Sequence, residues 1–270
     1  MNFFDFEKCF NRALSHSFSR KKFLITFPVL VLCGILIVFC KTIAIDASDW
    51  VSTSLVFLPI LLSSGILLSL GVYLNRIYYH EVKQLKISFR KIFSSSWDLF
   101  VGTSYLSVPP ILVYFLLWIL LGFFLLLHEI PGIGPFIGVI LSFGPFLLIL
   151  SSLLLCMFNL FLLFYAVPAI GMKTMQKIKL AKKLLSRVKK NIFLNLVLFL
   201  TALLPIVFFT MILGFAAYLT NEGYLNSSHT LSLGFQWFFI MLPFTALLTP
   251  AVIFFFNFAL ESYNLHQEKS

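Results

Sequence analysis

Asp46, Asp49, His128, Glu129, Glu222 and His229 are the residues of this chain whose types, if gathered, could hold a cation or a polar headgroup. All six fall in connections between apolar runs, where spacing sets no mutual geometry, so they read equally as solvated loop polarity. The four cysteines, Cys9, Cys33, Cys40 and Cys156, form no C-x-x-C pair, and no histidines stand at metal-ligand spacing. No metal and no cofactor is expected. Cys9 stands where acylation could occur, and the other three lie in apolar runs as small apolar residues. Gly132 to Gly138 reads GIGPFIG, yet no strand precedes it and no Lys follows, so it is a turn and not a phosphate loop. No nucleophile, base and orienting group can be assembled, and the chain is not expected to be an enzyme.

Within the central parts of the apolar runs there is no Asp, Glu, Lys, Arg or His, which argues against a proton relay or intramembrane catalysis. The polar side chains there are neutral, among them Ser63, Ser64, Ser69, Asn159, Asn195 and Asn257. Their expected role is hydrogen bonding between helices, worth about 0.6 kcal/mol each. Gly65 and Ser69 form a small-xxx-small pair that permits close helix packing. Pro59, Pro109, Pro110, Pro145, Pro205 and Pro243 are candidate kink positions, because a proline inside a helix frees a carbonyl and bends the axis.

The elements that must position these residues follow from composition. The chain has 270 residues, 60% of them hydrophobic and only 11% charged, and its mean hydropathy is +1.00. Soluble domains carry roughly 25% charged residues, so an ordinary soluble fold is excluded. The chain reads as one six-span membrane domain over residues 1–270. The first span starts at Phe23, is apolar through Cys40 and ends about residue 45; the others cover about 51–74, 99–127, 135–165, 192–220 and 233–260. The first reads as a retained span and not as a cleaved signal.

Basic residues set the orientation. With both termini in the cytoplasm, 19 of the 20 Lys and Arg face that side, and Lys41, the exception, sits at a span end where it can snorkel. The net charge of +10 is therefore a topology signal and not a sign of nucleic-acid binding. The location this implies is a membrane that borders the cytoplasm.

Three segments before odd-numbered spans, residues 1–22, 75–98 and 171–190, place apolar side chains at three- and four-residue steps and read as interfacial amphipathic helices. In the first the apolar positions are Phe3, Phe6, Phe10, Ala13 and Ser17 or Phe18; in the second they are Tyr78, Val82, Leu85, Phe89 and Ile92. In the third, Lys173, Lys177, Lys182, Lys183, Arg187 and Lys190 lie mostly opposite the apolar stripe, where anionic lipid of the inner leaflet would meet them. Helix plus hairpin thus recurs three times. A repeat of pattern and the plain alternation of any six-span chain with an internal N-terminus both account for it.

The run AVPAIGMKTMQKIKLAKKLLSRVKKNIFLNLVLFL, Ala166 to Leu200, resembles bacterial six-span membrane proteins of the YciC-like and glycerophosphodiesterase-membrane-region type, in which an Ala-Pro pair ends one span and a basic helix opens the next. The resemblance covers about 35 residues and implies an integral membrane location. The 34 phenylalanines resemble the composition of membrane proteins from chlamydia-like intracellular bacteria, and with the resemblance above this implies a bacterial inner membrane.

Kinked, uncharged spans above a basic belt point to handling or transport of a lipid or a neutral amphiphile. The alternative is a non-catalytic scaffold or accessory subunit with a membrane-protein partner, which the absence of any recognisable site favours equally.

Overall fold

The computed structural model describes residues 3–45, 47, 49–84, 89–128, 130, 134–172, 192–224 and 230–268. Every regular element among them is helical. Six segments are long and apolar enough to cross a membrane: Arg20–Ile43, Val51–Val82, Trp97–His128, Leu141–Gly171, Phe193–Leu219 and Ser232–Leu265. In chain order the helices are α1 (Phe3–Ser15), α2 (Arg20–Ile43), α3 (Asp49–Leu55), α4 (Phe57–Val82), α5 (Phe89–Ser104), α6 (Val108–His128), α7 (Gly134–Met172), α8 (Ile192–Tyr224) and α9 (Thr230–Glu268). A 3-10 turn, Tyr105–Ser107, separates α5 from α6. At 39 residues each, α7 and α9 extend about 58 Å, well beyond a hydrocarbon core of about 30 Å.

Prolines explain where several elements begin. The third expected span is not one continuous helix: α5 ends at Ser104 and α6 restarts at Val108, with Pro109 and Pro110 in its first turn. Proline lacks an N–H and constrains the residue before it, so it fits a first helical turn at no cost, whereas in an interior it removes a hydrogen bond and is tolerated where neighbouring groups satisfy the freed carbonyl. Pro59 likewise lies in the first turn of α4, after the short α3. Pro145, Pro205 and Pro243 lie inside α7, α8 and α9, as do Pro28 inside α2, Pro168 inside α7 and Pro250 inside α9.

Within the segment 75–98 the described residues belong to two helices. Residues to Val82 continue α4 and residues from Phe89 begin α5, because the inward face of Leu74, Ile77 and Tyr78 extends the buried stripe of the span without interruption. Residues 173–191 lie outside the described residues, and with them Lys173, Lys177, Lys182, Lys183, Arg187 and Lys190.

Helices α4 and α9 form the centre. Of their most apolar stretches 50% and 39% is buried within the protein, against 17% to 22% for the other four spans. The run Phe254-Phe255-Phe256-Asn257-Phe258 shows why α9 must be central, since consecutive helical residues point around the axis and each needs a partner. Phe254 and Phe258 meet Phe10 and Phe6 of α1 edge-on, with ring centroids 5.2 and 6.1 Å apart. Phe255 meets Phe164 of α7 at 5.8 Å. Phe256 lies against Gly71 of α4, where a Cβ would run into its ring. Helix α9 also packs on α2: the Lys41 ammonium of α2 sits 4.2 Å from the centre of the Trp237 ring of α9.

Candidate functional site

The turn after α1 builds the first half of a polar centre. Ser17 donates its hydroxyl to the Ala13 carbonyl at 2.6 Å and its N–H to Leu14, which closes α1 and lets the chain reverse into α2 at Arg20. The reversal carries α1 back along α9, with Phe6, Phe10 and Ala13 turned inward and Phe18 71% exposed. Of the apolar stripe that sequence reasoning assigned to the membrane surface, Phe6, Phe10 and Ala13 are therefore packed on α9. Its periodicity is satisfied equally well by a phenylalanine-rich helix and by acyl chains.

The reversal also places Lys22, fully enclosed, among residues of three elements. Its ammonium lies 2.6 Å from Glu81 Oε2 at the end of α4. It further donates to the His16 carbonyl at 3.4 Å and to Asn257 Oδ1 of α9 at 3.5 Å, and it rests 4.7 Å from the centre of the Tyr78 ring. His16 Nδ1 lies 3.7 Å from the same Glu81 oxygen. Asn257 completes the link by donating its amide to the Ala13 carbonyl at 3.4 Å. A buried ammonium is tolerable only when paired and hydrogen-bonded, and Lys22 is both.

Glu261, one turn beyond Asn257 on the same face of α9, anchors a second group. Tyr78 donates its hydroxyl to Glu261 Oε1 at 2.6 Å, the Arg12 guanidinium stands 3.6 Å away, and Cys9 Sγ lies 3.9 Å from Oε2. Burial, and after it the negative charge of Glu261, push the Cys9 thiol up to about 11. Beside this group opens a cavity of about 690 Å³, walled by α1, by the end of α4 with Lys83, and by the end of α9.

A second concavity, about 710 Å³, lies elsewhere on the surface of α4, between α2, α5, the 3-10 turn and α6. Ile25 and Val29 of α2, Leu62 and Ile66 of α4, Phe100 and Val101 of α5 and Ile111 of α6 line it, with Trp97 at its edge and no charged side chain in its wall. The groove spans the helix break at Tyr105–Ser107, with Ser104, Ser107 and Ile111 in its wall. Gly65 and Ser69 make its floor. A Cβ on Gly65 would meet Ser107 Oγ at 2.5 Å, and Ser69 donates its hydroxyl to the Phe100 carbonyl at 2.8 Å. Ser104 and Ser107 donate to carbonyls of their own turn, so the groove exposes uncharged surface in which the serine hydroxyl protons are already committed.

Intrahelical bonding is also the fate of most hydroxyls expected to link helices. Ser64, Thr103, Ser152, Thr201 and Thr249 all donate to a carbonyl three or four residues earlier, which a helix always offers at short range. Besides those of the polar centre, bonds between elements come from Ser69, from Tyr114 to the Ser54 carbonyl at 3.0 Å and from Tyr165 to the Asn195 carbonyl at 2.8 Å. The Asn159 and Asn75 amides are buried and have no hydrogen-bond partner among the described residues.

Of the connection residues that could have gathered, Asp46, Glu129 and His229 lie outside the described residues. The described residues contain no group of three His, Cys, Asp or Glu side chains placed to hold a metal. Lys22, Glu81, Glu261 and Arg12 were not picked out by sequence reasoning, and Tyr78 was read only as a position of an apolar stripe. One signal did mark Glu261: no charged residue precedes it from Thr230 onward. No family model matches the chain, and no curated protein or solved structure matches it either.

Proposed function

We propose that the protein is a multi-pass protein of a bacterial inner membrane, with both termini cytoplasmic, that holds and moves a lipid or neutral amphiphile. The orientation rests on the partition of Lys and Arg about the six apolar segments. In that frame α1 lies at the level of the inner membrane surface, its apolar face on α9, and the eight basic residues from Lys173 to Lys190 fall on the cytoplasmic side, where their charge attracts anionic lipid.

The observation that carries the functional reading is the lateral groove. Its volume of about 710 Å³ falls within the roughly 300–1,000 Å³ of small-molecule sites. An uncharged wall of aliphatic and aromatic side chains suits a hydrocarbon chain, and Trp97, 56% exposed at the groove's edge, is the residue type that favours a membrane interface. The chemistry required is binding and release, with no bond made or broken.

The test is lipid identification on protein purified in native nanodiscs, for the wild type and for Ser104→Trp, which fills the groove. The expected result is a clear fall in co-purified lipid for Ser104→Trp and none for Met211→Trp on the outer face of α8. An identical lipid complement in all three proteins would leave the groove without a role and favour the scaffold reading.

A further inference from the structure

We propose that the cavity between α1 and the ends of α4 and α9 binds the phosphate ester headgroup of an anionic phospholipid. It is separate from the lateral groove, because Leu62, Ile66 and Ser69 and the cavity residues Tyr78 and Val82 lie on different faces of α4 at 100° per residue.

Depth comes first. The uncharged runs of α4 and α9 end at Asn75 and Leu260, followed by Arg76 and Glu261, and the cavity wall is built from residues just beyond them, among them Tyr78, Val82, Glu261 and Leu265. The opening therefore lies at the level where hydrocarbon gives way to headgroups.

Charge comes second. The wall carries three cations, Lys8, Arg12 and Lys83, against two carboxylates, Asp5 and Glu261. Glu261 is engaged by Tyr78 and Arg12, and the Lys83 ammonium sits 4.4 Å from the centre of the Tyr79 ring, a contact that leaves its protons able to donate outward. Lys8 on α1 and Lys83 after α4 thus face the cavity from two walls. The excess of one positive charge matches a phosphodiester, which carries a single negative charge and accepts through two non-bridging oxygens. The apolar residues Val82, Leu260 and Leu265 give the adjoining glycerol and first methylenes an apolar border.

The experiment measures binding by native mass spectrometry on the full-length protein in a maltoside detergent, which contains no phosphate. The probes are dioleoyl phosphatidylglycerol, dioleoylglycerol and water-soluble glycerol 3-phosphate. Phosphatidylglycerol should bind at least about tenfold more tightly than dioleoylglycerol, and Lys8→Gln with Lys83→Gln should remove about tenfold or more of that affinity. The control, Arg20→Gln with Lys21→Gln, removes the same charge outside the cavity and should leave the affinity within about twofold. Unchanged affinity in the Lys8/Lys83 variant, or an equal loss in the control, overturns the proposal. Glycerol 3-phosphate binding as tightly as the lipid overturns the assignment to a membrane lipid. Ser104→Trp should leave these affinities unchanged, so the headgroup site and the groove can fail separately.

Discussion

The Lys22 ammonium lies 2.6 Å from Glu81 Oε2 with the lysine side chain wholly enclosed, joining the first residues of α2 to the last turn of α4. With the His16 carbonyl and Asn257 also on Lys22, this one contact ties three elements to the loop that follows α1. Because Lys22 is buried, removing one partner should cost far more than removing both. Lys22→Met or Glu81→Gln alone should destabilise by about 3 kcal/mol, whereas the double variant should recover at least half of that loss. Unfolding free energies of all four proteins in one double-mutant cycle read the coupling directly.

Glu261 offers a contrast between two partners of one carboxylate. Tyr78 reaches it at 2.6 Å inside the protein, while Arg12 reaches it at 3.6 Å with 42% of its side chain exposed. Tyr78→Phe should cost about 1.5–3 kcal/mol, and Arg12→Gln no more than about 1 kcal/mol. Thermal or denaturant unfolding in matched detergent ranks them, and an equal loss would mean that exposure does not govern this site.

Glycines separate by what a Cβ would touch. At Gly71 it would meet the ring of Phe256, itself locked in the core, so Gly71→Ala should destabilise by about 1–3 kcal/mol and Phe256→Leu should relieve much of that. At Gly34 the neighbour is the flexible Met241 side chain, which can move aside at small cost. At Gly102, Gly122 and Gly214 nothing lies within 4 Å, and alanine should be neutral or stabilising by up to about 1 kcal/mol. Unfolding midpoints for the five variants check the order.

The Cys9 thiol, held up near 11 by burial and by Glu261, should resist alkylation at neutral pH. Only the thiolate reacts, so its labelling rate should climb as pH approaches 11. Glu261→Gln removes the negative neighbour, lowers the thiol pKa and should speed labelling at pH 8. Iodoacetamide labelling followed by peptide mass spectrometry resolves Cys9 from the other three cysteines; a slower rate in Glu261→Gln would contradict the arrangement.

Six membrane-crossing segments were legible because each is an apolar run of about 18 residues or more, and hydrocarbon thickness allows few alternatives. The break at Tyr105–Ser107 was not, since the run stays apolar through it and only Pro109 and Pro110 mark the restart of the helix. The amphipathic period of α1 was legible while its partner was not, because Phe6 and Phe10 suit a lipid surface and the α9 phenylalanines alike. The ionic centre escaped for a different reason. Lys22, Glu81 and Glu261 stand at helix ends, where charge is ordinarily read as a topology signal, and only the return of α1 along α9 brings them together. Asn257 and Glu261 at i, i+4, like Tyr78 and Glu81 at i, i+3, each share a face, but neither pair names its partner.

The claim that a hydrocarbon chain occupies the groove beside α4 is tested most directly by photo-crosslinking. Full-length protein in nanodiscs is illuminated with a phospholipid carrying a diazirine on its acyl chain, and the labelled peptides are mapped. Saturable labelling concentrated on residues 97–111 and 62–73, competed by unlabelled lipid and lost in Ser104→Trp, is the predicted result. Labelling spread evenly over the exposed faces of α6 and α8, with no saturation and no effect of Ser104→Trp, would contradict it.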